Sequence, residues 1–189
     1  MVSPLLSLFK EIQIIIRYIE DINNRDDEYL DYLKNHIEGV QQTWKDIFVP
    51  IFRRTSTKQF DEYSELIQKH DESKYSKDEW DTYLNYFCPD ENHPKDEDTF
   101  DSAWLHHQHN NPHYWQYWIL QRDSGDQVAL DIPEKYVIEM LCDWSSFRYK
   151  NPESTTNKWY NDNKDKMILS KNTIKLIEKY IDLLKEPLK

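Results

Sequence analysis

The stretch Asp27–Phe52, DEYLDYLKNHIEGVQQTWKDIFVPIF, carries Leu30, Leu33, Ile37, Val40, Trp44, Ile47 and Ile51 at steps of three and four. Those steps trace one side of a 3.6-residue helix, so the segment reads as an amphipathic helix, with Pro50 kinking or ending it. His36 sits three residues after Leu33 and four before Val40, at the border of that apolar stripe. A histidine in such a place is either a hydrogen-bonded core residue or a metal ligand.

Working outward, Pro4 opens an earlier helix capped by Ser3 and running to about Ile22, and polar residues 23–26 separate it from the second. Residues 58–69 place Phe60, Tyr63, Leu66 and Ile67 at helical spacing. Further helices are read over 77–87, 99–110, 133–149 and 170–185. Asp123-Ser124-Gly125-Asp126 lies between two short apolar runs, at 117–122 and 127–132, as in a small β-hairpin. With only 2 Gly in 189 residues, turn-dense β architectures and glycine-rich phosphate loops are disfavoured. The prediction is a single all-α domain over 1–189 with one small hairpin and a core rich in aromatic rings, since 7 Trp and 13 Tyr are present.

A net charge of −11 (24 Lys plus Arg against 35 Asp plus Glu) repels duplex nucleic acid and anionic lipid. Cys88 and Cys142 match no zinc or redox spacing and read as reduced thiols. Charges at Lys10, Glu11 and Arg17 interrupt the apolar N-terminal segment, so a membrane span is not expected. A cytoplasmic protein is the expectation.

Candidate chemistry concentrates in three places. His70-Asp71-Glu72-Ser73-Lys74 ends one helical segment. His106, His107, His109 and His113 hold four of the chain's 7 histidines within eight residues. Asp143 falls on an otherwise apolar helical side with Glu139 one turn before it, where a carboxylate is costly unless paired with Arg148 or Lys135, or bound to a metal. Imidazoles and carboxylates without thiolate are the ligand types of a divalent-metal site. Of the remaining histidines, His109 and His93 read as bystanders.

The order His36, His70-Asp71, His107 and His113, Asp143 resembles the HD superfamily of metal-dependent phosphohydrolases in its two-metal form. It is similar more narrowly to a group of phage and bacterial proteins pairing HDxSK, HxxxNxH and ExxxDW segments, supplied here by residues 70–74, 107–113 and 139–144. The resemblance implies an HD-like helical bundle with its metal core at about residues 30–150. It implies that His36, His70, Asp71 and Asp143 hold one ion, that Asp71 bridges to a second held by His107 and His113, and that His106 is the substitute for His107. Mn, Fe, Co, Ni or Zn would suit such ligands.

Lys74 and Asp71 are then the catalytic candidates. Lys74 would neutralise charge on a phosphate, with Arg148 and Tyr114 as further substrate contacts. The activity implied is hydrolysis of a phosphoester, in a nucleotide or small cyclic nucleotide, by metal-activated water. A nucleotide-sequestering protein on the same scaffold and a di-iron oxygenase of HD type are the alternatives. A phage-encoded chain would act in the host cytoplasm.

Overall fold

A computed structural model describes the backbone of residues 4–147 and 155–185, and the side chains of 24–147 and 155–185. The fold is all-α with one small β-hairpin. Helix α1 (Pro4–Thr43) runs forty residues without the break expected at 23–26. Polar residues lacking glycine or proline do not stop a helix, and tertiary contacts hold this stretch in place. Arg25 is buried, donating from Nε to the Cys88 carbonyl at 2.8 Å and from Nη2 to Asn85 Oδ1 at 2.7 Å. His93 joins the same clasp, its Nδ1 lying 2.8 Å from Arg25 Nη1.

Pro50 does disturb the helix. A π-helical turn, Trp44–Phe48, precedes α2 (Val49–Phe52), which carries the proline in its first turn. A proline has no N–H to give to the preceding turn, and the wider register takes up the mismatch. The buried side of this long element is Tyr29, Leu33, His36, Val40, Trp44 and Phe48, whereas Leu30 and Ile37 are only half-buried and Ile51 is exposed. His36 therefore lies within the buried stripe, not on its border.

Helix α3 (Thr57–Gln68) is capped by Ser56, whose side chain accepts from the Gln59 amide. Next come α4 (Trp80–Phe87) and α5 (Glu97–Asn110), the latter capped by Asp96. Strands β1 (Ile119–Gln121) and β2 (Gln127–Ala129) form the hairpin, pairing Ile119 with Ala129 and Gln121 with Gln127. Gly125 turns it at φ 92°, a backbone region open mainly to glycine. Helix α6 (Glu134–Ser146) follows Pro133, then α7 (Thr156–Asn163) and α8 (Lys171–Ile181), which Ser170 caps.

Helix α6 is the central element: α1 packs along it, and α3, α7 and α8 also touch it. Two apolar clusters result. The larger joins Val40, Phe48, Ile67, Val137, Leu141 and Ile177. The smaller joins Tyr29, Tyr83, Leu84, Cys88 and Ala103 between α1, α4 and α5. Each fully buried side chain of this kind stabilises the fold by about 1.5–3 kcal/mol. Together they offset the cost of burying polar side chains such as His70, Asp71, Glu79 and His107. No helix among the described residues is long and apolar enough to cross a membrane.

Candidate metal centre

Helix α3 ends at Gln68, and the chain then turns sharply at Asp71, whose φ of 58° is the only positive value on a non-glycine among the described residues. Such a conformation costs an L-residue free energy and persists only where surrounding contacts impose it. Here it aims two adjacent side chains, His70 and Asp71, into one buried space. A 3₁₀ turn, Glu72–Tyr75, follows and brings Lys74 back so that Nζ lies 2.6 Å from Asp71 Oδ2.

The other predicted ligands arrive from three helices: His36 from α1, His107 and then His113 from the end of α5 and just beyond it, Asp143 from α6. All six are buried. Asp71 stands at their centre. Its Oδ2 lies 3.2 Å from His36 Nε2 and 3.6 Å from His70 Nε2. Its Oδ1 lies 3.2 Å from His107 Nε2 and 3.5 Å from His113 Nε2. Asp143 Oδ1 completes the first half, 3.3 Å from His36 Nε2 and 3.8 Å from His70 Nε2. Ligands about 2.1 Å from a shared ion at ordinary bond angles stand about 3.0–3.4 Å apart, close to this spacing.

Tautomers are set from behind. Ser146 Oγ donates to the Asp143 carbonyl at 2.7 Å, so it accepts from His36 Nδ1 at 2.8 Å. Glu139 Oε1 accepts from His70 Nδ1 at 2.9 Å and lies 3.2 Å from His113 Nδ1. Glu79, fully buried, accepts from His107 Nδ1 at 2.7 Å and from His106 Nδ1 at 2.9 Å. The rings of His36, His70, His107 and His113 thus use Nδ1 to anchor themselves and turn Nε2 inward. The Nε2 atoms of His36, His70, His107 and His113 and the Oδ1 of Asp71 are all buried without a hydrogen-bond partner. Buried polar atoms left unsatisfied are costly, and a cation between them removes that cost. The residues fit one or two divalent ions.

The electrostatics agree. Burial would raise the Asp71 carboxyl, but His70 and Lys74 outweigh it and hold it well below the usual carboxylate range. Asp143, also pushed up by burial, is drawn down to about 2 by the nearby imidazoles of His70 and His36. Burial would lower His70, yet Asp71, Asp143 and Glu139 lift it to about 10 in the absence of metal. His107 is raised by Asp71 and Glu79 against the same burial.

His106 is set apart by its exposure, its side chain 39% accessible against 0% for His107, so His107 is the member of the pair facing Asp71. His109 is exposed. His93 sits in the Arg25 clasp, far in role from this cluster. Asp143 is not paired with Lys135, which instead donates to Glu62 at 2.7 Å. Arg148 lies outside the described residues. Tyr114 packs on His113 at 4.4 Å between ring centroids and on His107 at 5.1 Å, and burial pushes its phenol well up. Glu79 and Ser146 were not legible as site residues. Glu79's signal, an acidic residue on a short apolar segment, is too common to single out.

A cavity of about 340 Å³ opens on the cluster, reaching His36, Lys74, His113 and Asp143. Its walls include Trp104, Tyr114, Trp115, Trp144 and Trp159.

The fold and this cluster define an all-α protein with a buried histidine–carboxylate centre. The chain belongs to the family described as a family of unknown function (DUF5662), which it matches over residues 25–183, a span holding every residue from His36 to Asp143. No curated protein and no solved structure matches it.

Proposed function

We propose that this protein is a metal-dependent phosphohydrolase of HD type that cleaves a small phosphoester of the nucleotide kind in the cytoplasm. The observation supporting it most is the set of four imidazole Nε2 atoms, buried and unpartnered, directed at the two oxygens of one aspartate. His36, His70, Asp71 and Asp143 would hold one ion, and Asp71, His107 and His113 a second. Mn, Fe, Co, Ni or Zn suit these donors. When bound, such ions supply a water nucleophile near neutral pH and polarise a phosphoryl oxygen.

The chain's own groups do the rest. Lys74, buried and lining the cavity, places an ammonium where an anionic phosphate would enter, and neutralises charge that grows in the transition state. Glu139, Glu79 and Ser146 keep the imidazoles in the tautomer that leaves Nε2 free. The aromatic walls exclude bulk water, which strengthens each of these interactions. In the reaction the oxygen of water bonds to phosphorus, the ester P–O bond breaks, and the alcohol leaves carrying a proton. The Lys74 ammonium beside Asp71 suits an anionic substrate, which favours hydrolysis over oxygen activation.

Elemental analysis of protein purified without chelator, followed by phosphate release from a panel of nucleotides with Mn²⁺, tests the reading. Stoichiometric metal and metal-dependent release support it. Full hydrolytic activity in a variant with both His70→Ala and Asp71→Ala overturns it.

A further inference from the structure

The cavity beside the histidine–carboxylate cluster is walled by aromatic rings. Indoles from four separate places line it: Trp104 from α5, Trp115 from the turn after His113, Trp144 from α6 and Trp159 from α7. Trp144 and Trp159 lie against each other, ring centroids 4.9 Å apart and planes inclined at 48°. Trp159 remains 38% accessible, and it belongs to the same cavity that reaches Asp143 and Lys74. Gln116 also lines this space and carries a buried Oε1 with no hydrogen-bond partner. An acceptor of that kind is matched by an N–H on a heteroaromatic ring.

Volume and charge narrow the occupant. At about 340 Å³ the space is near the lower limit of ligand pockets, enough for one compact molecule. Among the described residues its lining holds one buried ammonium, Lys74, and one exposed at Lys166, whose Nζ is held 2.9 Å from Asn163 Oδ1. A single phosphate has a place at Lys74 beside the histidines. Further phosphates would lie against indole, in a chain whose net charge is −11, and both features penalise a polyphosphate.

We infer that the cavity is the recognition site for a nucleoside monophosphate, its base stacked on the Trp144–Trp159 wall and its one phosphate directed at Lys74, and that it discriminates against di- and triphosphates. The placement of the phosphate rests on the phosphohydrolase reading; the stacking wall does not. Recognition of the base then draws on Trp159 of α7, an element that supplies none of the candidate ligands, together with Trp144 of α6. Stacking on an aromatic side chain is sequence-tolerant because every base has a π-face, so the wall selects for a flat ring more than for a particular base.

The full-length protein is titrated with the four common nucleoside 5′-monophosphates, the matching triphosphates, adenosine and inorganic phosphate, read by tryptophan fluorescence and by calorimetry. At least one monophosphate binds ten-fold or more tighter than its triphosphate, and adenosine monophosphate binds more tightly than adenosine. Trp159→Ala weakens that binding about ten-fold, Trp159→Phe restores most of it, and the affinity for inorganic phosphate is unchanged in both. Triphosphates that bind as tightly as monophosphates, or monophosphate binding indifferent to Trp159→Ala, overturn the inference. Trp159-dependent binding without metal-dependent hydrolysis keeps the cavity assignment and removes the hydrolase reading. Metal-dependent hydrolysis of phenyl phosphate, with no nucleotide bound, does the reverse.

Discussion

Lys74 Nζ lies 2.6 Å from Asp71 Oδ2, the same carboxylate oxygen that faces His36 and His70. The lysine is buried, and besides Asp71 its ammonium stands over the Tyr83 ring at 5.6 Å from the centroid. The lysine places its ammonium at the edge of the histidine–carboxylate cluster and inside the aromatic cavity.

Replacing that charge separates binding of metal from chemistry. Lys74→Met retains the six ligands, so its metal content stays at the wild-type level or rises, because a cation next to the ions is gone. Turnover of phosphoester falls by about 10²–10³-fold, the usual loss when one preorganised electrostatic contact to the transition state is removed. Metal analysis and steady-state kinetics on the same preparation give both numbers. Loss of metal together with activity would assign Lys74 to the scaffold.

Glu139 touches both halves of the cluster through one oxygen, whereas Glu79 touches only His107 of the ligands. Glu139→Ala is therefore expected to weaken binding of both proposed ions, and Glu79→Ala chiefly binding of the one that His107 and His113 would hold. Loss of such an orienting partner lowers metal affinity by about 10–100-fold. Glu139→Gln keeps an acceptor for the two imidazoles and loses less. Isothermal titration of apoprotein with Mn²⁺ distinguishes the patterns; identical stoichiometry and affinity in both alanine variants contradicts them.

Metal uptake should be proton-linked. Burial alone would depress His70, but Asp71, Asp143 and Glu139 raise it to about 10 without metal, so at neutral pH a ligand must lose a proton as the ion enters. Affinity falls as pH falls, and calorimetric heats in buffers of different ionisation enthalpy report net proton release. The apoprotein shows the opposite trend. A histidine raised in the folded state contributes stability that is complete below its unfolded pKa of about 6.5 and is lost as pH climbs through about 10. Thermal melts of chelated protein that show no decline over that window would count against the coupling.

At the start of α6, Glu134 accepts from Tyr180 Oη at 2.7 Å, Lys179 Nζ at 2.9 Å and Tyr63 Oη at 3.2 Å. Partial burial pushes its carboxyl up, but these three partners outweigh that and lower it. The folded pKa lies below the unfolded one, so the contribution is present above the unfolded value of about 4.3 and disappears as pH drops through the folded value. Glu134→Gln should cost about 1–3 kcal/mol at pH 7. The difference from wild type should close on acidification, as denaturant melts at pH 7 and pH 3 would reveal. A constant difference across that range would remove the ionic origin.

Much of the helix pattern was legible because apolar spacing follows the helical repeat. The buried stripe over 27–52 is nonetheless rotated from the apolar one, through Tyr29, His36 and Phe48 in place of Leu30, Ile37 and Ile47. The stripes over 27–52 and 58–69, the Ser170 cap and the hairpin around Gly125 are each a local consequence of side-chain spacing or backbone preference. The break expected at residues 23–26 was misread for the converse reason. Whether a polar stretch continues a helix depends on what receives its side chains, and Arg25 is received by Cys88 and Asn85, some sixty residues on.

Residue types suggested a metal site, and the resemblance of their order to the HD pattern nominated His36, His70, Asp71, His107, His113 and Asp143. Only tertiary structure could bring them together, choose His107 over His106, recruit Glu79 and Ser146 behind them, and line the approach with Trp144 and Trp159. Those outcomes depend on distances between atoms on different helices and on which ring nitrogen finds an acceptor. Neither quantity has any local trace along the chain.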